Sequence, residues 1–474
     1  MIKNIITTFF IFILTTLVAN AHIDIVYPTQ KELTTYGDTI FVSGNTNKNA
    51  IVEINSTPVE LWENEFFVHV VPLEYGTNKI KIVSKHDNII EKDFIKVKKP
   101  RPSTLNKKFK KPEYIKNEEG VLYAKTIKDR ATIRSGAKNN SSRITDLQKN
   151  VVLYLDGNLG DYYKIQEKGK TEFWIHKSNI TEPISLSNRI KLTIKDKKQY
   201  SDENYDYLKF YLSRPVLFTT EQKKDKITLT LYDEENFEYS YEFDSPILGY
   251  DFFYEENNLI FKKAKFKKSE DELCPLNGIN IFIDAGHGGN EKGTIGPSRV
   301  LEKDINLDIA KHLIKLLTQA GANVTYSRID DKKVDLYDRV KQAQDSNALI
   351  SISIHCNSLP YNKNPYAKHG TEAHYYNENA KLLAEIIKFN LANDLSIQDN
   401  GIHKSSFALT RATNPVSVLV EVAYMINPSE YILLKNTQFR KNVAKSLKKS
   451  IEEYILLLQS KKLWYNFFCR TWIY

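Results

Sequence analysis

The first part of the chain alternates apolar and polar residues with a period of two. Between residues 23 and 98, short runs such as Thr39-Ile40-Phe41-Val42 are separated by turn signals such as Gly44-Asn45. A period of two at this spacing predicts short β-strands, and their number favours a small β-sandwich over residues 22–98. The alternation returns after residue 120, so we expect the N-terminal part of the chain to be all-β.

Residues 99–119 interrupt this pattern. They hold three prolines and several lysines, with almost nothing to bury. This composition predicts a basic linker. A solvated run of charge is the simpler interpretation of the lysines, and contact with an anionic polymer is the alternative.

Two further β-units follow the linker. Residues 120–182 contain five short apolar runs, from Ala131-Thr132-Ile133-Arg134-Ser135-Gly136 to Phe173-Trp174-Ile175-His176, and predict a small barrel. In their order they resemble a bacterial SH3 module. Residues 183–268 continue with strands that bury one face, and they are similar to the AMIN modules that precede envelope amidases. The sandwich over residues 22–98 resembles the immunoglobulin-like modules of bacterial surface proteins.

From Leu276 onward, strand patterns alternate with helical patterns, which predicts a multidomain chain ending in an α/β domain over residues 276–460. Its sheet should be mostly parallel and covered by helices on both faces. The predicted strands span residues 279–284, 324–328, 348–355, 369–376 and 417–422, and the predicted helices span residues 305–317, 334–343, 380–391 and 431–458. In such a sheet, functional residues gather at the carboxyl ends of the strands.

Charged or metal-ligating residues stand at those ends. His287 follows the first strand, His355 closes the third, Glu421 lies near the end of the last, and Glu302 opens a helix. A charge at the tip of an apolar strand is costly unless it is paired, and one dication would satisfy several such groups. Two imidazoles and a carboxylate are a common ligand set for catalytic zinc. We therefore predict His287, Glu302 and His355 as Zn²⁺ ligands, Glu421 as general base, and Asp284 as acceptor of a ligand N–H.

Several segments of this domain carry a family resemblance that extends from residue 279 to about residue 458. The segments are Asp284-Ala285-Gly286-His287-Gly288-Gly289, Glu302-Lys303-Asp304-Ile305-Asn306-Leu307, Ser351-Ile352-Ser353-Ile354-His355-Cys356-Asn357 and Leu419-Val420-Glu421-Val422-Ala423-Tyr424. In this order they resemble the blocks of the zinc N-acetylmuramoyl-L-alanine amidases of the Amidase_3 type. The resemblance implies the same metal ligands and the same catalytic glutamate. Some relatives carry an inserted helix that plugs the zinc site, whereas the short stretch from Cys356 to Lys368 predicts an open groove.

Composition and charge add two limits. The chain has 474 residues, 41% hydrophobic and 26% charged, an ordinary globular balance, and its three cysteines exclude a disulfide-stapled miniature scaffold. The net charge of +9 suits an anionic cell envelope as well as nucleic acid. Cys274, Cys356 and Cys469 leave one thiol over in any pairing, and Cys356, in an apolar strand, is expected to be a buried thiol.

The two ends of the chain are distinct. Residues 1–21 combine Lys3, an apolar run and Ala19-Asn20-Ala21, which predicts a signal peptide cleaved before His22. A membrane anchor is the alternative, but the apolar run is shorter than the ~20 residues that span a bilayer. We therefore expect an exported protein of the periplasm or cell envelope, without stable membrane insertion. Residues 461–474 form an aromatic tail suited to packing or to contact with an interface.

The resemblance implies a peptidoglycan hydrolase that cleaves between N-acetylmuramic acid and L-alanine, in cell wall remodelling or daughter-cell separation. Peptidoglycan is then the partner, nucleic acid is not, and the pattern identifies no activator protein. Two alternatives are a non-catalytic wall-binding protein and a zinc peptidase that cuts within the stem peptide. His369, His374 and His403 are candidate rim or substrate contacts, and two arginines, Arg328 and Arg339, are expected to form structural ion pairs.

Overall fold

The computed structural model describes residues 22–102, 112–117, 120–167, 171–223, 225–243, 247–267 and 274–459. The predicted signal peptide, the aromatic tail and much of the predicted linker lie outside these ranges. Among the described residues, no helix has the length and apolar character needed to cross a membrane.

The first unit consists of two sheets packed face to face. Its strands are β1 (Ile23–Tyr27), β2 (Glu32–Thr34), β3 (Thr39–Thr46), β4 (Ile51–Ile54), β5 (Thr57–Val59), β6 (Phe66–Pro72), β7 (Gly76–His86) and β8 (Ile89–Lys99). One sheet has the order β1-β3-β6 and the other the order β2-β8-β7-β4-β5. Alternate residues such as Ile40, Phe67 and Ile82 point inward and form a common core. We call residues 22–99 the first sandwich.

The following strands form three more sheets. They are β9 (Tyr114–Lys116), β10 (Val121–Lys125), β11 (Ala131–Arg134), β12 (Arg143–Leu147), β13 (Val152–Leu159), β14 (Tyr162–Ile165), β15 (Phe173–His176), β16 (Ile184–Leu186), β17 (Ile194–Ser201), β18 (Tyr205–Leu212), β19 (Phe218–Lys223), β20 (Lys226–Leu231), β21 (Phe237–Glu242), β22 (Tyr250–Glu255) and β23 (Asn258–Ala264), with a 3₁₀ turn at Lys177–Asn179. One hydrophobic core extends from Ala124 to Phe261, across the predicted boundary at residue 182. The N-terminal region is thus all-β, as predicted.

The C-terminal domain alternates strands and helices. Its elements are β24 (Asn280–Ala285), α1 (Glu302–Gln319), β25 (Asn323–Tyr326), α2 (Leu336–Asp345), β26 (Ile350–Asn357), β27 (Thr371–Tyr375), a 3₁₀ turn (Glu378–Ala380), α3 (Lys381–Leu395), β28 (Asp399–Lys404), β29 (Val416–Tyr424), α4 (Pro428–Lys435) and α5 (Thr437–Gln459). The sheet order is β25-β24-β26-β29-β27-β28. Only the pair β27–β29 is antiparallel, so the sheet is mixed but mostly parallel.

Helices cover both faces of this sheet because alternate residues of its strands are apolar on opposite sides. Ile281 and Ile283 of β24 belong to the large core that includes residues of α1, α3 and α5. Phe282, between them, packs on the other face with Ala343 of α2. The parallel strands then bring their carboxyl ends to one edge, where the candidate site lies.

Two predicted elements are wrong in detail. The single helix predicted over residues 431–458 is two helices, because Asn436 adopts an extended conformation (φ −76°, ψ 119°) that ends α4. Strand β28 was not predicted. Its sequence, Asp399-Asn400-Gly401-Ile402-His403-Lys404, has one apolar residue and lacks the alternation of a half-buried strand.

Candidate metal centre

The three predicted metal ligands come together at the carboxyl edge of the sheet. His287 follows β24, His355 lies near the end of the neighbouring β26, and Glu302 is the first residue of α1. Their ligand atoms all lie within 4.8 Å of one another. Glu302 Oε1 is 3.1 Å from His355 Nδ1 and 3.2 Å from His287 Nε2. This spacing allows the three side chains to hold one ion.

The turn that carries His287 depends on close backbone approach. A Cβ atom added at Gly286 would lie 2.3–2.7 Å from ring atoms of His355. Only glycine therefore leaves room for that imidazole. His287 itself has φ 61°, a left-handed conformation that is unfavourable for a non-glycine residue. Such strain persists where the surrounding structure holds it, often at functional sites.

Two buried arginines hold this turn in place. Arg328 donates to the carbonyl oxygens of Ala285 and Gly286, both at 2.9 Å. Arg339 donates to the carbonyl oxygens of Ala285 at 2.7 Å and His287 at 2.6 Å. The ion pair predicted for Arg339 is confirmed, since its Nη1 lies 2.6 Å from Asp284 Oδ1. The expectation for Arg328 is wrong, because its hydrogen bonds go to carbonyl groups.

The predicted role of Asp284 is also wrong. Its two carboxylate oxygens accept from Arg339 and, at 2.6 Å, from Ser353 Oγ. Asp284 is fully buried, so these partners are needed to offset the loss of hydration. Asp284 thus supports the arginine that holds the His287 turn and does not orient a ligand imidazole directly.

Glu302 is held as a charged carboxylate. Burial works to raise the pKa of its carboxyl group, but hydrogen bonds from His287 and His355 outweigh burial and hold that pKa well below its ordinary value. Oε1 also accepts from the backbone N–H of Cys356 and from Asn306 Nδ2, each at 3.2 Å. The N–H of Thr294 donates to Oε2 at 2.8 Å. A carboxylate oriented in this way is suited to ligate a cation.

Glu421 lies next to the three predicted ligands, and the pKa of its carboxyl group is shifted in the opposite direction from that of Glu302. It pairs in register with His355 between β29 and β26, and it is partly buried. Burial, together with the charges of Glu302 and Glu372, raises the pKa of its carboxyl group well above the ordinary value. Within the described residues, its Oε2 is buried without a hydrogen-bond partner. An orphaned carboxyl oxygen beside three ligand atoms fits a site that receives a metal ion and a water molecule.

A second polar group lies along the same edge, around Glu372 of β27. Its buried carboxylate accepts from Tyr424 Oη at 2.5 Å, and Lys368 Nζ lies 3.1 Å away. The imidazoles of His374 and His403 approach it at 3.5 Å and 3.6 Å. His403 is the more exposed of the two, so it lies at the rim, whereas His374 is largely buried.

Sequence reasoning missed Glu372, although the signal was present. Glu372 is a charged residue inside the buried strand Thr371–Tyr375, which is the pattern that identified Glu421. His369, the third candidate rim residue, is partly exposed and lies 3.9 Å from Glu430. Cys356 is a buried thiol, as expected, and its Sγ donates to Asn306 Oδ1 at 3.4 Å.

Between the end of β26 and the start of β27, residues 358–370 form turns and contain no helix. The side chains of His287 and His355 are 30% and 19% exposed. Both observations agree with the predicted open groove, since an inserted helix over the site would bury these imidazoles.

Comparison with known proteins places the similarity in this domain. Residues 281–453 match the family described as N-acetylmuramoyl-L-alanine amidase. The chain is 33% identical over 184 residues to the uncharacterized protein YqiI of Bacillus subtilis strain 168, a match covering 38% of this chain and 86% of YqiI. It is 34% identical over 200 residues to the germination-specific N-acetylmuramoyl-L-alanine amidase of that organism. This match covers 38% of this chain and 81% of that amidase. A match to its amidase LytC, 35% identical over 177 residues, covers 36% of this chain and 35% of LytC.

Proposed function

The chain belongs to the N-acetylmuramoyl-L-alanine amidase family, and from this premise we propose that it hydrolyses the amide bond between N-acetylmuramic acid and L-alanine in peptidoglycan. Its metal ligands are His287, Glu302 and His355, and Glu421 is the general base. The observation that carries the proposal is the position of Glu421 Oε2, which is buried without a hydrogen-bond partner among the described residues, beside three convergent ligand atoms.

The donor set favours zinc. Two imidazole nitrogens and one carboxylate oxygen form a common catalytic zinc site, which leaves a further position for water or substrate. When bound, zinc supplies a Lewis acid that makes water acidic enough to lose a proton near neutral pH. Arg328 and Arg339 keep His287 in its strained turn, and Asn306 and Thr294 orient Glu302.

Glu421 moves the proton. Its carboxylate accepts a proton from the attacking water, whose oxygen forms a bond to the carbonyl carbon of the lactyl group. The protonated Glu421 then donates to the alanine nitrogen, and the carbon–nitrogen bond breaks. The products are a lactyl carboxylate and a stem peptide with a free α-amino group. A carboxyl group whose pKa is raised suits this exchange, because it can hold the proton between the two steps.

We further propose an exported enzyme of the periplasm or cell envelope that acts in wall remodelling or daughter-cell separation. Support comes from the signal-peptide pattern of residues 1–21 and from the family, whose substrate lies outside the cytoplasm. The immunoglobulin-like, SH3-like and AMIN-like assignments of residues 22–98, 120–182 and 183–268 belong to the same proposal. The all-β architecture of this region agrees with them.

Digestion of purified peptidoglycan tests the proposal. The full chain loaded with zinc should release peptides whose new amino terminus is L-alanine, and a chelator should stop the release. Mass spectrometry of the fragments separates the alternatives, because a cut within the stem peptide gives a different amino terminus. Binding of sacculi without any released peptide would overturn the proposal in favour of a wall-binding protein.

A further inference from the structure

One segment of the C-terminal domain lies directly against two of the three proposed ligands. Residues 288–301 connect the His287 turn to the start of α1. The N–H of Thr294 donates to Glu302 Oε2 at 2.8 Å, and the N–H of Glu302 donates to the Thr294 carbonyl at 2.9 Å. A Cβ atom added at Gly293 would lie 2.5 Å from Glu302 Oε2 and 2.6 Å from His287 Cδ2. Any shift of residues 288–301, which we call the ligand segment, would therefore move Glu302.

The outer side of the ligand segment is held by the first sandwich. Arg299 donates two hydrogen bonds to the carboxylate of Asp24, which lies in β1. The guanidinium group lowers the pKa of the Asp24 carboxyl, which therefore stays charged. The N–H of Ile295 donates to Tyr27 Oη at 3.4 Å, and Asn45 Nδ2 donates to the Pro297 carbonyl at 3.4 Å.

Tyr27 also lies near Glu302, one of the proposed ligands. The pKa of its hydroxyl is raised by burial and by the negative charge of Glu302. Tyr27 packs on Phe41 of the first sandwich, with ring centroids 5.8 Å apart, so its position is set by that unit. The sandwich thus contacts the ligand segment at three points, two of them within three residues of Gly293 or Thr294.

A second link runs through Tyr431 of α4. Its hydroxyl accepts from the backbone N–H groups of Ser298 and Val300, both at 3.3 Å. Its ring and that of Phe66 of the first sandwich form a T-shaped pair, with centroids 5.2 Å apart. The ligand segment is therefore enclosed between the metal ligands on one side and groups set by the sandwich on the other.

We propose that Asp24 and Tyr27 are positioning residues for the metal centre. By holding the ligand segment, they keep the Thr294 N–H aimed at Glu302, so that the metal affinity of the C-terminal domain depends on the first sandwich. This inference rests on the proposed function. Hydrogen bonds that orient a metal ligand typically contribute 10–100-fold to affinity. The first sandwich is then a structural part of the catalytic unit and not a detachable wall-binding module.

The test measures the zinc dissociation constant of full-length variants by competition with a chromogenic chelator. Asp24→Ala and Tyr27→Phe should each weaken zinc binding about tenfold, while the KM for peptidoglycan changes little. The charge-swapped double variant Asp24→Arg, Arg299→Asp should recover most of the affinity. A matched control is Glu65→Gln, because Glu65 pairs with Lys435 at the same junction, 2.9 Å away, without touching the ligand segment.

The outcomes are distinct. A purely structural role would lower the thermal midpoint of the variants but leave the zinc affinity of the folded protein unchanged, and this result would overturn the inference while the proposed function stands. A loss of zinc affinity in Glu65→Gln as large as in Asp24→Ala would also overturn the inference. The affinity would then depend on any contact between the first sandwich and the C-terminal domain, and not on the contacts with the ligand segment. If the wild-type chain binds no zinc and releases no peptide, the proposed function fails first and the inference with it. Tyr27→Phe, which removes one hydroxyl, carries the test if Asp24→Ala does not fold.

Discussion

Glu372 and Glu421 are directly paired residues of the antiparallel strands β27 and β29. Glu372 accepts hydrogen bonds and remains charged, whereas Glu421 Oε2 has no hydrogen-bond partner among the described residues. The pKa of Glu372 is lowered and that of Glu421 is raised. Neighbouring carboxyl groups whose pKa values are pushed apart divide their roles. Glu372 therefore keeps its charge, and the raised pKa of Glu421 fits the role of proton carrier proposed for it.

Replacing Glu421, the proposed general base, gives the first prediction. Glu421→Gln should lower the release of stem peptide by about 10²–10⁴-fold, the range attributed to general acid–base catalysis, because an amide cannot accept the water proton. Zinc content, measured by atomic absorption, should match the wild type. Glu385→Gln on α3, where Glu385 lies 3.6 Å from Lys388, is the matched control and should retain activity. A fully active Glu421→Gln enzyme would remove the basis for the proposed mechanism.

The second prediction concerns acid stability. Burial acts to raise the pKa of Glu372, but hydrogen bonds involving His374, Tyr424 and Lys368 outweigh it and lower the pKa from 4.5 to about 2. A lowered pKa stabilises the fold fully above the unfolded value, and this contribution disappears as the pH falls from about 4.5 to about 2. The shift corresponds to at most about 3 kcal/mol.

Urea unfolding of the chelator-treated protein between pH 2 and pH 6 measures this contribution. The wild type should lose more stability across that interval than Glu372→Gln, whose side chain does not titrate. Parallel curves for the two proteins would show that Glu372 is not the responsible group. Other carboxyl groups titrate in both proteins, so the contribution of Glu372 is the difference between their unfolding free energies at each pH.

The sequence was most informative where chemistry and periodicity coincide. His287, His355 and Glu421 each end or nearly end an apolar run, so the edge on which they meet followed from the parallel arrangement of strands. Strand β28 gave no such signal, because it lies at the edge of the sheet and has little apolar surface to bury. The break at Asn436 was missed because apolar residues continue at helical spacing on both sides of it.

The periodicity of apolar residues does not predict which residues far apart in the sequence contact each other. The sequence predicts an ion pair for Arg328, whereas the side chain donates to the buried backbone carbonyl groups of Ala285 and Gly286. The bond between Asp24 and Arg299 joins residues 275 positions apart. Neither residue stands in a distinctive local pattern, so only the folded chain shows that they pair.

A third prediction uses the close approach at Gly286. Gly286→Ala should displace the His355 imidazole, since the new methyl group would lie within 2.7 Å of three of its ring atoms. We expect loss of zinc binding in titrations monitored by calorimetry. Gly401→Ala is the control, because Gly401 has φ +89° but no heavy atom within 4 Å of an added Cβ. It should lose some stability from backbone strain and still bind zinc. Equal zinc affinity in both variants would contradict the described packing at Gly286.

The fourth prediction concerns the buried pair of Asp284 and Arg339. Asp284→Ala leaves the Arg339 guanidinium buried without a countercharge, and removing one partner of a buried ion pair typically costs about 3–5 kcal/mol. The urea midpoint of the chelator-treated protein should fall accordingly. Asp284→Asn, which keeps one oxygen acceptor for Arg339, should cost less and should retain zinc, because the carbonyl groups of the His287 turn still receive their donors. If Asp284→Ala unfolds within about 1 kcal/mol of the wild type, the ion pair is not what stabilises this part of the fold, and the prediction is wrong.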